Sequence, residues 1–321
     1  MIIRPYDDIM SDKSQNRKWV GHLAALAVYV IFGINPNCSK AVVPQYISPE
    51  VFTAVRMLFG TAAFWLLDLL VNMRKPKAER VRVEKRDMRV FIWGGIVLAG
   101  TLIAFSEAFR YTSPCYVSLV SATSPLIVML MAAAFLKEPI SVRKSIGVFI
   151  GIGGALMIVL FTWGSDANAT ALGLILCMVN ILFYAGYLVL TRNVSQRHSP
   201  ITMMKWIFLY GSLIVVPMGI PFFSRESCPL VFGNATPFAY ISLFVVLIFA
   251  TVASYFLLPI ALRHIRPTTV SMYSNLQPLV TACVAIALGQ DIFTWNKPVA
   301  LALILIGVYL VTTSRAKSDL Q

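Results

Sequence analysis

The sequence predicts an all-α integral membrane protein of ten transmembrane helices built from two inverted five-helix repeats. Three observations predict it. Hydrophobic residues make up 58% of the 321 positions and charged residues only 13%, with a mean hydropathy of +0.76, which leaves too little polar surface to cover soluble domains. Apolar runs of about twenty residues recur, each long enough at about 1.5 Å per residue to cross roughly 30 Å of hydrocarbon as a helix. The second half of the chain also repeats the first in register.

The ten expected spans are 19–39, 49–72, 90–110, 114–136, 141–161, 171–190, 200–220, 237–262, 267–288 and 297–313. The first follows Arg17 and Lys18 and runs on through "VYVIFGINPNC" without a small-residue cleavage site, so it reads as an uncleaved helix. It carries Tyr29, and Pro36 is expected to interrupt it between Asn35 and Asn37. The second holds Arg56 a few residues from its outer end and Asp68 close enough to the other face to snorkel. The third ends near Glu107. Asp68 and Glu107 are the two acidic residues placed inside spans, and an intramembrane pair of Arg56 with Glu107 is weighed against a plain i,i+3 bridge of Glu107 with Arg110.

The fourth span places Pro125 eleven residues after Pro114, about 16 Å into the helix and near the bilayer midplane. A proline there withholds an N–H from the carbonyl of Ser121. Ser118, Ser121, Ala122 and Pro125 follow i, i+3, i+4, i+7 spacing, and Ser124 precedes the proline. The fifth span, "GVFIGIGG", has Gly147 and Gly151 at the spacing that lets helices approach closely, within the chain or between copies. On the sixth, Asn180, Tyr184 and Tyr187 form a polar aromatic stripe. The seventh carries Lys205, and the eighth adds Tyr255 beside Ser254. The ninth repeats the fourth, with Pro278 eleven residues after Pro267, the stripe Ser271, Ser274, Asn275, and Gln277 just before the proline. The tenth carries Gly307. Trp19, Trp93, Trp163 and Trp295 sit at span ends as an interfacial belt would place them.

A shift of 153 residues aligns 108–160 with 261–313 without a gap and with twelve identities, among them Pro114 with Pro267, Ser118 with Ser271, Ser121 with Ser274 and Pro125 with Pro278. Five spans per half is an odd number, so the second half enters the membrane inverted. Inverted repeats with interrupted helices at the midplane are the architecture of secondary transporters. The two kinked polar faces are therefore expected to line a central cavity, with Tyr29, Asn35, Asn180, Tyr184, Tyr187 and Tyr255 extending its wall. The repeats occupy 19–161 and 171–313, between an N-terminal segment 1–18 and a tail 314–321.

A formal charge of +13 would suggest nucleic acid in a soluble chain. Here placement explains it: with the amino terminus in the cytoplasm, 21 of the 27 Lys and Arg residues fall on the cytoplasmic side, eight of them in the 74–89 loop. Both termini are expected in the cytoplasm of a bacterial cell with the chain in its inner membrane, and no nucleic-acid partner is expected. The five cysteines are scattered and read as packing residues.

The duplicated five-helix unit and the stretch "AFRYTSP...SPLIVMLMAAAFLKEPISVRKSIGVFIGIGGALMIV" resemble the EamA-like branch of the drug/metabolite transporter superfamily. Arg56 in "VRMLFG", Glu138 and Asp291 just past the proline-bearing helices, and the glycines of the fifth span match its pattern, while Gln290 stands where Lys137 does in the first half. The resemblance implies a carrier of small metabolites that rocks between inward-open and outward-open states, frequently an exporter, with amino acids or related amphipathic compounds as candidate cargo. Expected partners are a small solute, the lipid bilayer, a proton or other coupling ion, and a second copy of the chain. No cofactor, metal or catalytic residue is expected. The alternative is a polytopic enzyme acting on lipid or lipid-linked substrates, for which the dispersed His22, His198 and His264 offer no clustered chemistry.

Overall fold

The structure is a computed structural model and describes residues 6–73, 83–162, 170–287 and 295–313. Trp163, Gln290, Asp291, much of the 74–89 basic loop and the 314–321 tail lie outside the described residues, as do the side chains of Cys115 and Lys297. Among the described residues the fold is all helix. Six helices are long and apolar enough to cross a membrane: Lys18–Lys40, Pro49–Met73, Lys85–Ala108, Ala171–Arg197, Pro200–Phe222 and Pro237–His264.

In the first half, α1 (Tyr6–Lys40), α2 (Pro49–Met73) and α3 (Lys85–Ala108) are followed by two shorter helices, α4 (Pro114–Ser121) and α5 (Ser124–Leu136), and by α6 (Val142–Thr162). The second half has α7 (Ala171–Arg197) and α8 (Pro200–Gly219), then α9 (Pro237–Val245) running through a π-helical stretch, Val246–Ala253, into α10 (Ser254–His264). Next come α11 (Pro267–Met272), a 3-10 turn Tyr273–Leu276, α12 (Gln277–Ala287) and α13 (Asn296–Thr312). Local chemistry starts several of these. Ser199 and Thr236 accept from the amides of Thr202 and Ala239 ahead of Pro200 and Pro237, and Thr170 accepts from Gly173. Each cap serves an N–H that a helix start leaves unmet, and proline costs nothing in a first turn.

Four expectations are corrected. Pro36 does not interrupt the first helix, which continues to Lys40; one lost backbone bond is tolerated where the helix packs on α12, with Gly33 against Val280 and Gln277. Pro125 and Pro278 do not kink continuous helices. Each chain segment breaks just before its proline, which then stands second in a new helix, α5 or α12, where a missing N–H is free. Of the carbonyls expected to be freed there, that of Ser121 finds a hydroxyl from a neighbouring helix, as such a group requires, while that of Ser274 keeps a local amide partner instead. Ser121 O receives the Ser274 hydroxyl at 3.3 Å, and Ser274 O receives the amide of Gln277. Finally, Asp87 joins Asp68 and Glu107 inside a membrane-length helix, because α3 begins at Lys85 rather than at 90. Asp87 is 2% exposed and bonds His198 Nε2 at 2.6 Å and Arg197 at 2.8 Å.

Packing runs mainly between the halves. Helix α1 packs on α10, α2 on α8, α3 on α7 and α8, α4 on α12, α5 on α11, and α6 on α13. Written by span within each half, first pairs with third and third with first, while second, fourth and fifth each pair with their counterpart. Apart from α3 on α8, whose exchanged counterpart is only the lesser contact of α2 with the π-helical stretch, that pattern is unchanged when the halves are exchanged. Glycines permit the closest crossings: a Cβ on Gly95 of α3 would lie 2.8 Å from the Gly211 amide and from the Ile207 carbonyl of α8. The Gly147 face is covered within the chain, by Gly307 and Leu310 of α13.

Asp68 does not simply snorkel. Its carboxylate meets Lys205 of α8 at 2.6 Å, and the ammonium also lies 5.2 Å and 5.5 Å from the Trp65 and Trp206 rings. Removing one partner strands the other in a mostly apolar wall. Asp68→Ala should lower stability by about 2 kcal/mol, and Asp68→Ala with Lys205→Met should recover most of it. Thermal unfolding of the four proteins in detergent checks this. Equal losses in both single variants that simply add in the double would remove the coupling.

Candidate functional site

Between the halves lies a cavity lined from both. Its wall takes Phe32 and Asn35 from α1, Arg56 from α2, and Thr101, Leu102 and Phe105 from α3. Ser121 and Ser124 flank the break between α4 and α5, Gln277 opens α12, and Asn180, Ile181, Tyr184 and Tyr255 close the circle from α7 and α10. Arg56 stands seven residues after the start of α2, about 10 Å along the helix, and Phe105 lies a turn from the end of α3. The cavity thus occupies the half of the molecule nearer the ends where α2 begins and α3 stops.

Aromatic side chains form its floor. Tyr29 and Tyr184 join hydroxyls at 2.9 Å. Phe32 meets Tyr29, Tyr184 and Tyr255 with ring centroids 5.9, 6.4 and 6.0 Å apart, and Tyr255 also meets Tyr187 and Phe208 edge-on at 6.2 and 5.4 Å. Such edge contacts are individually modest, but together they fix ring orientation. Tyr29 and Tyr187 themselves are buried behind the wall, and the Tyr187 hydroxyl points to Met204 Sδ at 3.7 Å.

The two helix breaks touch directly. Ser124 and Ser274 share a hydrogen bond of 2.8 Å across the halves, beside the bond from Ser274 to the Ser121 carbonyl. One turn away Ser118 meets Thr281 at 3.1 Å, and Thr281 donates to the Gly33 carbonyl at 2.8 Å. Ser118, Ser271 and Ser274 are therefore buried in this seam rather than in the cavity wall. Ser271 donates to Thr268 O. Asn275 is 0% exposed with neither amide atom hydrogen-bonded, and it lies against Gly151.

Arg56 and Glu107 are not brought together. Glu107 meets Arg110 at 3.4 Å, and Arg110 also bonds Glu50 at 2.7 Å near the chain surface. Arg56 is 1% exposed, donates from Nε to Thr251 Oγ1 at 3.1 Å, and lies 5.6 and 5.9 Å from the Phe52 and Phe105 ring centroids. Its Nη1 has no partner. Asn180 donates to the Thr101 carbonyl at 2.8 Å, so its amide is anchored within the wall. At the opposite end from the cavity, Glu138 accepts from Lys144 at 2.9 Å and from Thr268 at 3.0 Å, tying the end of α5 to α6 and α11.

Sequence reasoning missed Phe32, Thr101, Leu102, Phe105, Ile181 and Thr251. Phe32 had a signal, since it stands three residues from both Tyr29 and Asn35 and so shares their helix face. Thr251 had none, because its reach to Arg56 depends on the π-helical stretch.

The profile of the EamA-like transporter family matches residues 19–160 and 171–313. The chain is 25% identical over 293 residues to a protein named uncharacterized transporter YyaM of Bacillus subtilis, covering 89% of this chain and 92% of that one. It is also 25% identical over 197 residues to the pseudopaline exporter CntI of Pseudomonas aeruginosa, covering 61% and 64% of the two chains. A solved crystal structure superposes with a TM-score of 0.70 at 15% identity, covering 93% of this chain and 97% of its own.

Proposed function

The chain belongs to the EamA-like transporter family and is an integral membrane protein, and on that premise we propose that it is a secondary transporter. It carries a small metabolite by alternating access around the cavity between its halves. The observation that carries this reading is the cavity itself: apolar and aromatic walls with a few convergent polar groups, placed where two interrupted helices meet. The exchange-symmetric pairing of helices supports two copies of one five-helix unit, ten spans in all, with the second copy inverted.

In this reading the aromatic floor and the Ser124–Ser274 seam close one side of the cavity. Solute reaches the other half of the membrane when that seam parts and the ends where α2 begins and α3 stops draw together. The termini lie in the cytoplasm, and the direction is export, as the name of one relative says of that protein.

Counterflow in proteoliposomes with a pooled metabolite library tests the proposal. At least one solute should exchange faster than in protein-free vesicles. Tyr184→Ala, which removes a wall and a floor contact, should slow that exchange on the order of tenfold, the effect of about 1.4 kcal/mol. Vesicles that move no solute but turn over a lipid would replace the transporter with the enzyme alternative.

A further inference from the structure

We propose that Arg56 is a carboxylate anchor, so that the transported solute is a small organic acid or zwitterion. This rests on the transport reading above and narrows it to a substrate class.

Arg56 lines the cavity yet is almost wholly removed from solvent. A buried guanidinium is costly unless an anion or several acceptors compensate it. Among the described residues it makes no ion pair, the cavity wall contains no Asp or Glu, and Glu107 is engaged by Arg110. The charge bonds one hydroxyl oxygen and faces two phenylalanine rings, with the Tyr255 phenol close enough to act on it and Nη1 left unbonded. Two ring quadrupoles and one neutral acceptor offset only part of the desolvation. The remainder is available to a ligand that brings its own negative charge.

The orientation of the fork is built in as well. Thr251 donates its hydroxyl proton to the Val246 carbonyl at 3.0 Å, five residues back along the π-helical stretch. With its proton committed, that oxygen can only accept, and it accepts from Arg56 Nε. The π turn thus holds the guanidinium through Nε, while the buried Nη1 keeps no partner of its own, a donor that a carboxylate would satisfy. A single cation with no second Lys or Arg in the wall fits one carboxylate better than a phosphate dianion. Phe32, Leu102, Phe105, Tyr184 and Tyr255 then accommodate an apolar body. The Ser121 hydroxyl, whose proton goes to the Val117 carbonyl at 2.7 Å, presents an acceptor for a solute N–H or O–H.

The test uses matched pairs: L-phenylalanine, L-leucine, phenylacetate and hexanoate, each beside its amide. Counterflow in proteoliposomes and thermal stabilisation of the detergent-purified protein are read for each. At least one acid should exchange and stabilise the protein, and its apparent affinity should exceed that of its amide about 30-fold or more. In Arg56→Gln the acid-to-amide ratio should fall towards one. Arg56→Lys, which keeps the charge but loses the fork, should fall between, and Thr251→Val should weaken the acid by a smaller factor. Unfolding midpoints and elution profiles show that each variant is folded before its ratio is read.

Equal exchange of acid and amide in the wild type, or an unchanged ratio in folded Arg56→Gln, overturns the anchor while leaving transport standing. If no acid stabilises the purified protein, the anchor is also overturned. Failure of a broad pooled library to exchange above protein-free vesicles is the separate result that removes the transport reading.

Discussion

Gly95→Val should prevent the chain from reaching its folded state. A Cβ at this position of α3 would lie 2.8 Å from the Gly211 amide nitrogen, the Ile207 carbonyl oxygen and the Tyr210 Cβ of α8. The first two are main-chain atoms inside a helix and cannot swing aside as a side-chain tip can. Valine adds two methyl groups beyond that Cβ. Relief requires prising α3 from α8, and with it the junction of the first half with the second. Lost contact along the crossing, with no water to refill it, should cost about 4 kcal/mol or more. Gly153→Val is the matched control, because a Cβ there meets nothing within 4 Å. Detergent size-exclusion and thermal unfolding should show Gly95→Val aggregated or greatly destabilised and Gly153→Val close to the parent. A Gly95→Val protein that elutes and melts as the parent does would mean that this crossing is looser than the structure shows.

Locking the seam between the helix breaks should stop turnover. Ser124 and Ser274 place their hydroxyls 2.8 Å apart across the halves, so cysteines at both positions, in a background without the native cysteines, can be oxidised to a disulfide. If the halves rock against each other, this contact must open once per cycle, and the cross-link should lower counterflow more than tenfold, with recovery on reduction. Each single cysteine variant treated with the same oxidant should be unaffected. Complete cross-linking with undiminished counterflow would show that the seam stays shut throughout transport, and alternating access would need another hinge.

Much of the helix placement was legible because apolar runs announce helices in lipid, and the prolines at 49, 114, 200, 237 and 267 mark first turns. What could not be read was how a proline is used deep in a run. Pro125 and Pro278 signalled trouble at the right places, but whether a chain kinks or starts a fresh helix depends on who meets the freed carbonyl. The Ser121 carbonyl is met by a serine 153 positions away. The same limit applied to charges. Arg56 was conspicuous, and Phe52 stands one turn before it on α2, yet Thr251 and Phe105 come from other helices, and the expected partner Glu107 turned to Arg110 instead. Asp68 and Lys205 were each visible alone, while their pairing depends on α2 lying against α8. Periodicity reports one helix face at a time, and the site is made where faces from different helices converge.

The main-chain oxygen of Ser121 is completed by a side chain from the other half. A lone repeat would leave that oxygen without this partner, and could regain one only by mating with a twin. Fusing the twins into one polypeptide makes that encounter independent of how much protein the cell produces. It also frees each copy to change alone: Ser124 and Gln277 occupy corresponding places in the two halves, a divergence forbidden to a pair of identical subunits.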